Sequence, residues 1–478
     1  MCGIVGVISR NRDVVYDART LLNAINNRGT QACGMTVFDG KRTRCHYGRG
    51  TVAKVFPKEC KKWPKLVGSS CAGHCLYSTI SPADAGEQPK TEQPVVFHRF
   101  HRCGRIGAVS HNGNLVGLDG LRKQAKQAGY KFRSETSDTE VIAALISISK
   151  KKDFLETVIE VLKKIEGKGA FSLVILFKDK LYGARDQNQI RPLCIAKKDG
   201  KNGDSDSYFF VSQSSAIPSL EATRWIREVQ MGEVVVLGAD GIDKSVRWTE
   251  RTKSAFCICE PIYSLNPNDT FFGVSAYAFR VKAGEVAARK NRVRADCAVP
   301  VPESGRGYID GFCSESGIPS RDGLIKSRYS LDGGRTFMED RNVDRGKIQK
   351  RKLQANPDVM RGRVVLLVED SIFRGSVAPA SVKMSREHGG AREVHMVVCS
   401  PPVCFPCHLG LDTGTSEELV ASHMSLSEIR DQKIHSDSLV YLSVAELKQV
   451  LKELGLNPDD FCFGCFTGKY PVPPPKRR

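Results

Sequence analysis

Residues 364–376 read VVLLVEDSIFRGS, and this stretch decides how the second half of the chain folds. Val364 to Val368 is an unbroken apolar run, with the length and β-branched character of a strand buried on both faces. It enters the loop Glu369-Asp370-Ser371-Ile372-Phe373-Arg374-Gly375-Ser376, and a helical pattern follows from Ala380. Strand, tight loop and helix make a phosphate cradle. Backbone N–H groups at the helix start hold the anion, small residues let it approach, and the paired carboxylates Glu369 and Asp370 hold ribose hydroxyls or Mg²⁺, directly or through water. Taken alone, the same residues also describe a helix N-cap with two acidic neighbours.

Outward from this stretch, Cys297 to Pro302 and His395 to Cys399 are further short apolar runs beside helix-like segments, which is the rhythm of a parallel sheet. The first half reads differently. Gly3 to Ser9, Ala170 to Leu176 and Glu233 to Leu237 read as strands, and helical periodicity marks Thr139 to Ser149 and Phe154 to Ile165. This predicts helices beside largely antiparallel sheets. Gly238 to Ser254 is polar and charged, which places a boundary near residue 250: one domain over 2–250, a second over 251–471, and a basic tail over 472–478.

A chain of 478 residues with 41% hydrophobic content is long enough for two cores. Met1 to Gly6 has neither the basic nor the apolar region of a secretion signal, and no stretch reaches the roughly 20 apolar residues of a membrane span. The expectation is a cytoplasmic protein without a membrane partner. Seventeen scattered cysteines in such a chain point to metal or catalysis before disulfides. The net charge of +19 is spread along the chain, which argues against a nucleic-acid partner and fits anionic phosphate substrates. The terminal Lys476, Arg477 and Arg478 read as a solvated tail.

Met1 precedes the small residue Cys2, a context from which the initiator methionine is removable. The exposed cysteine then carries nucleophile and base together. The α-amine has a reference pKa of roughly 7.7–8 and the thiol roughly 8.5, so proton exchange between them is nearly balanced. For an isolated Met-Cys start, a small buried residue is the favoured reading. Its company is Arg28-Gly29, the run His111-Asn112-Gly113-Asn114-Leu115, and Ser137-Asp138-Thr139-Glu140 opening a helix. An Asn side chain beside a Gly N–H can form an oxyanion hole, and a carboxylate at a helix start can bind an ammonium group. With Cys2-Gly3-Ile4-Val5-Gly6, these elements resemble the glutaminase domain of N-terminal-nucleophile amidotransferases. The resemblance implies Cys2 as nucleophile, Asn112 and Gly113 as oxyanion hole, Asp138 as ligand of the glutamine α-amine, and Arg28 as a substrate-site residue.

The loop at 369–376 resembles the phosphoribosyl pyrophosphate loop of type I phosphoribosyltransferases. Other segments agree: Val299-Pro300-Val301-Pro302-Glu303-Ser304-Gly305, Ser316-Gly317-Ile318-Pro319, Gly323 to Tyr329, Gly334-Arg335-Thr336-Phe337, Ser400-Pro401-Pro402, Asp412-Thr413 and Glu417-Glu418-Leu419. Together they resemble the amidophosphoribosyltransferase family over residues 2–471. The resemblance implies an α+β N-terminal-nucleophile (αββα) glutaminase domain followed by an α/β type I phosphoribosyltransferase domain. It implies that glutamine, phosphoribosyl pyrophosphate and water give phosphoribosylamine, glutamate and pyrophosphate, the first committed step of purine synthesis. Ammonia would travel internally, since ammonia escaping to water is protonated and lost as a nucleophile. Further implications are substrate contacts at Lys326, Arg335, Glu369, Asp370, Ser371, Arg374, Gly375 and Ser376, Mg²⁺ at Glu369 and Asp370, purine nucleotides as feedback ligands, and a homo-oligomer.

Cys462 and Cys465 form a Cys-x-x-Cys that alone reads as a redox pair, half a zinc site or coincidence. Cys257 and Cys407 stand where one branch of the family places two further ligands, so the resemblance implies a [4Fe-4S] cluster on the four thiolates. A zinc site or four buried thiols are the alternatives. Cys259 and Cys404 fall on no ligand position and read as core cysteines.

The sequence also departs from the family. Leu76 stands where an Arg clamps the glutamine α-carboxylate, Gln31 stands where an acid is common, and Asp186 to Ile190 lacks the usual Pro and Gly of its turn. In the transferase loop Glu369 replaces an Asp, and Ser376-Val377 replaces two threonines. These departures keep two alternatives in view: a paralogue that runs on free ammonia, and a non-catalytic regulator that binds phosphosugars or nucleotides.

Overall fold

The computed structural model describes residues 1–57, 66–77, 92–100, 106–201, 203–326 and 353–474. The chain divides into two compact units. The first holds Met1–Phe256, His408–Asp412 and the described residues from Pro471; the second holds Cys257–Cys407 and Thr413–Tyr470. Nothing in the residue pattern announces that the short segment His408–Asp412 packs with the first unit.

The first unit contains a seven-stranded and a six-stranded sheet, with every strand pair whose register is described antiparallel. Gly3–Ser9 lies inside the seven-stranded sheet between Ser207–Val211 and Ser70–Leu76. All seven of its residues are buried, because helix Val15–Ala24 covers one face and the second sheet the other. Ile4, Ile8, Val174, Leu181, Phe210 and Val235 fill the layer between the sheets. Helices Asp138–Ile148 and Phe154–Ile165 cover the outer face of the six-stranded sheet through Val141, Leu145, Val158 and Leu162. The result is a helix, sheet, sheet, helix sandwich, held by apolar burial on both faces of each sheet.

Part of the polar stretch 238–254 is not a connection. Gly241–Arg247 is the edge strand of the six-stranded sheet, paired with Glu233–Gly238 through a bulge at Val236/Leu237. Its side chains from Ile242 to Ser245 face solvent, and an edge strand of that kind carries the composition of a loop.

The second unit is built on four parallel strands in the order Cys297–Pro300, Val364–Glu369, Glu393–Val398, Ser438–Tyr441. Val364–Glu369 is central and five of its six residues are buried, as its apolar run predicts. The first strand stops at Pro300, short of Pro302. The helix after the loop is Val377–Glu387, three residues earlier than Ala380. Pro379 masks the start of the periodicity, yet it sits in the first turn, where a missing N–H leaves no helical bond unmade. Because all four strands run the same way, the segments after Pro300 and Glu369 emerge at one edge of the sheet, the usual place for a ligand in a parallel α/β fold. Among the described residues no helix is long and apolar enough to cross a membrane.

Candidate functional site

In the first unit Cys2 directly precedes the buried strand Gly3–Ser9 and is itself only 7% exposed. Its Sγ lies 3.6 Å from the Tyr77 carbonyl oxygen, and its own carbonyl accepts from Arg28 Nε at 2.8 Å. Arg28 is buried, so its charge acts on the nucleophile through little solvent. Burial lowers the amino group of Met1 to about 5, with the charges of Arg28 and Arg191 acting in the same direction.

Asn112 and Gly113 lie on strand Ile106–Leu115, opposite Ser172 and Phe171 of Gly169–Phe177. Asn112 is fully buried, and neither its Oδ1 nor its Nδ2 has a hydrogen-bond partner among the described residues. An amide left so in the interior lacks about 1–3 kcal/mol of compensation for its desolvation, which a ligand oxygen can supply. Gly113 has φ +153°, and a Cβ there would overlap the Ala170 carbonyl oxygen, so only glycine fits.

Asp138 opens helix Asp138–Ile148, with Ser137 as N-cap accepting from Glu140 N at 3.1 Å. Its Oδ2 accepts from Leu115 N at 3.0 Å and its Oδ1 from Thr139 N at 2.7 Å. His111 Nδ1 stands 3.5 Å from Oδ2. Burial alone would raise the Asp138 carboxyl, but the charge and hydrogen bond of His111 and the two N–H donors outweigh it and hold it below its ordinary value.

Three residues that the sequence reading left without a role hold His408–Asp412 beside these groups. Asn114 Nδ2 donates to the His408 carbonyl at 2.9 Å, Arg191 Nη2 to the Leu409 carbonyl at 2.7 Å, and Tyr77 OH to Asp412 Oδ2 at 2.9 Å. Gly410 packs directly on Gly113. Asn114 and Tyr77 flank quoted motif residues, but the sequence gives no sign of their distant partner.

Leu76 ends strand Ser70–Leu76 half-buried, and its carbonyl accepts from Gln31 N at 3.2 Å. It brings no charge to the site. In the turn after Asp186, the buried Asp186 carboxylate accepts from Phe171 N at 3.0 Å and Asn188 N at 2.8 Å. Gln189 takes φ +45°. The Asp186 bonds and a 3.0 Å bond from Gln189 Nε2 to Ser254 Oγ hold a turn that is strained for a non-glycine residue.

In the second unit Glu369 and Asp370 end the central strand, 3% and 6% exposed. Glu369 Oε1 accepts from Asp370 N at 3.1 Å, while Oε2 is buried with no partner among the described residues. Asp370 accepts from Ser304 Oγ at 2.8 Å and from Ser371 Oγ at 3.0 Å. Burial, and then the neighbouring Asp370 charge, push the Glu369 carboxyl well above its ordinary value. Gly375 turns the chain at φ +60°. Ser376 stands at the helix N-cap, exposed, and its hydroxyl makes no cap bond, which leaves it facing outward with the N–H groups of the first turn. Arg374 lies 3.7 Å from Glu418. Lys326 is exposed at the end of strand Leu324–Lys326, and Arg335 lies outside the described residues.

Cys257, Cys407, Cys462 and Cys465 all lie in the second unit. Gly464 N points at Cys462 Sγ at 3.5 Å, and Cys404 N and Phe405 N both donate to the Cys465 carbonyl at 3.0 Å. A hydrogen bond from Cys259 favours the Cys465 thiolate, but burial and the sulfurs of Cys257, Cys407 and Cys462 together lift that thiol above its ordinary value. Cys259 is buried, and its Sγ touches Cys465 Sγ at 3.5 Å, so it belongs to the sulfur cluster as well as to the core. Cys404 is only half-buried. Among the described residues no group of three or more His, Cys, Asp or Glu is arranged to hold a single metal ion.

The model of a glutamine amidotransferase domain matches residues 83–219. The chain is 38% identical to amidophosphoribosyltransferase 1 (chloroplastic) of Arabidopsis thaliana over 99% of its own length and 79% of that protein's. It is 35% identical to the amidophosphoribosyltransferase of Bacillus subtilis over 98% of its own length and 94% of that protein's. It is also similar to a solved structure, the glutamine phosphoribosylpyrophosphate amidotransferase from B. subtilis complexed with ADP and GMP. The TM-score is 0.84 and the identity 32%, and 98% of this chain and 97% of that one are covered. An αββα sandwich joined to a unit built on a parallel sheet and likeness along nearly the whole length have one reading: the chain belongs to the amidophosphoribosyltransferase family.

Proposed function

We propose that the chain uses glutamine to aminate phosphoribosyl pyrophosphate, the first committed step of purine synthesis, with the residues assigned as follows. Once Met1 is removed, the freed amine takes the Cys2 thiol proton and the sulfur attacks the glutamine amide carbon. The oxyanion that forms is met by the Asn112 amide and the Gly113 N–H, while the Asp138 carboxylate receives the α-ammonium group. Collapse releases ammonia, and water cleaves the thioester to glutamate. The unpartnered and fully buried amide of Asn112 is the observation that carries this reading.

At the transferase loop, the N–H groups at the start of Val377–Glu387 and the Ser376 hydroxyl receive the 5-phosphate, and Asp370 and Glu369 face the ribose hydroxyls. Lys326, Arg335, Ser371, Arg374 and Gly375 complete this assignment. Ammonia displaces pyrophosphate at C1 of the sugar. The buried acid pair, with Glu369 Oε2 unpartnered, fits Mg²⁺ bound directly or through water; bound there, the ion would neutralise charge on the pyrophosphate.

Cys257, Cys407, Cys462 and Cys465 are soft donors close enough that the other three sulfurs act on the Cys465 thiol, a donor set that suits a [4Fe-4S] cluster. Its part would be structural, tying the end of the chain to the parallel-sheet unit. A cytoplasmic location belongs to the same reading. Purine nucleotides as feedback ligands and a homo-oligomer belong to the same reading; the B. subtilis relative was solved with ADP and GMP.

Purified protein given glutamine, phosphoribosyl pyrophosphate and Mg²⁺ should form glutamate and pyrophosphate in equal amounts. Absence of both products would refute the reading.

A further inference from the structure

His111 lies between the two groups of the glutamine site that the preceding reading assigns to binding and chemistry. It adjoins Asn112 in strand Ile106–Leu115, and its ring reaches Asp138. The ring is buried, and each nitrogen has a definite neighbour. Nε2 stands 3.3 Å from the Ala170 carbonyl oxygen, which only accepts, so Nε2 carries a hydrogen. Nδ1 stands 3.2 Å from Thr139 Oγ1 and 3.5 Å from Asp138 Oδ2. Thr139 Oγ1 in turn lies 3.2 Å from Asp138 Oδ1. A hydroxyl has one proton. If it goes to the Asp138 carboxylate, which has none to give, Nδ1 must be the donor to Thr139, and both ring nitrogens are protonated.

We propose that His111 is a positioning residue for glutamine: as an imidazolium strung between the Ala170 carbonyl and the Thr139–Asp138 pair, it fixes the carboxylate that receives the α-ammonium group. This rests on the glutaminase reading and adds to it a residue that touches no substrate.

The surroundings agree with the proton count. From the helix side His111 meets Asp138 and Thr139, and from strand Gly169–Phe177 the Ala170 carbonyl. From strand Ser70–Leu76, His74 Nε2 donates to the His111 carbonyl at 3.2 Å, and Gln93 Oε1 accepts from the His111 N–H at 2.8 Å. Cys2 is near enough to act through its charge. Burial alone would lower the His111 ring, but Asp138 and the Ala170 carbonyl outweigh it and raise it above its ordinary value. Burial lowers His74 to about 3, so it stays neutral beside the imidazolium. The arrangement therefore holds one cation and one anion in contact, a pairing that survives burial because further hydrogen bonds satisfy both.

The test measures glutamate release for wild type, His111→Ala and His111→Gln across pH 6–9. The expected result is a KM for glutamine raised about tenfold in His111→Ala, with kcat falling less than KM rises. His111→Gln, which keeps a donor but no charge, should fall between. In wild type KM should climb as pH rises through the His111 titration, since Thr139 then turns its proton to Nδ1 and Asp138 loses a donor; in both variants that rise should be absent. A fall in kcat with KM unchanged, or the same pH rise in the variants, would overturn the positioning role while leaving the glutaminase reading intact. No glutamate release by wild type would overturn both. His111→Gln keeps the test decisive should His111→Ala fail to fold.

Discussion

The two reaction sites hold their polar groups in opposite ways. At the proposed glutamine site the buried amide of Asn112 is left bare, while its neighbours Asp138 and His111 are each held by several partners and Gly113 is closely packed. At the phosphoribosyl loop the acids Glu369 and Asp370 are bonded to one another and to Ser304 and Ser371, and the bare donors lie at the helix start. The first arrangement suits a short-lived oxyanion, for which donors must be in place beforehand. The second suits a stable polyanionic substrate, which can displace weak local bonds and draw on a basic chain.

The contrast is open to four tests, taken from the largest expected effect to the smallest. Asn112→Ala should lower glutamine-dependent kcat by about 10²–10³-fold with a smaller change in KM, read by glutamate release. An effect on KM alone would place Asn112 in binding and weaken the contrast. Leu76→Arg supplies the carboxylate clamp the family has at this position, and a charge-assisted hydrogen bond of about 1.5–3 kcal/mol should lower the KM for glutamine by about 10- to 100-fold. Ser376→Ala should raise the KM for phosphoribosyl pyrophosphate by about fivefold and leave thermal stability within about 0.5 kcal/mol, since the hydroxyl caps nothing.

The fourth test is one of sign. The Glu369 carboxyl is raised in the folded chain, so it keeps its proton at a pH where the unfolded chain has released it. Stability from this group is therefore fully present below the ordinary carboxyl range and lost as pH climbs from there toward the folded value. Glu369→Gln, which cannot ionise, should melt higher than wild type at pH 7 and alike at pH 4. A Glu369 carboxyl that is not raised on folding would give no such gap.

Much of this architecture was legible in the sequence. The strands at 3–9 and 364–369 were visible because each is buried on both faces and so is apolar up to its last residue. The edge strand Gly241–Arg247 was not, because exposure gives it the composition of a loop. The early start of helix Val377–Glu387 was hidden by Pro379, which a first turn tolerates. Adjacent motif residues such as Asn112 and Gly113 could be read from local chemistry. The pinning of His408–Asp412 by Asn114, Arg191 and Tyr77 joins residues far apart in the chain, and such pairings leave no periodic trace. Likewise Cys259 reads as a core residue by position, and only the fold brings its sulfur against Cys465.

The central claim is that Cys2 and the Asn112–Gly113 strand make glutamine the working nitrogen donor despite Leu76. The most direct measurement is pyrophosphate release with glutamine and with ammonium chloride as donors, in wild type and in Cys2→Ala. The account predicts turnover with both donors in wild type, and in Cys2→Ala a loss of at least about 10³-fold with glutamine but not with ammonium. Turnover with ammonium alone in wild type, or glutamine-driven turnover that survives Cys2→Ala, would contradict it.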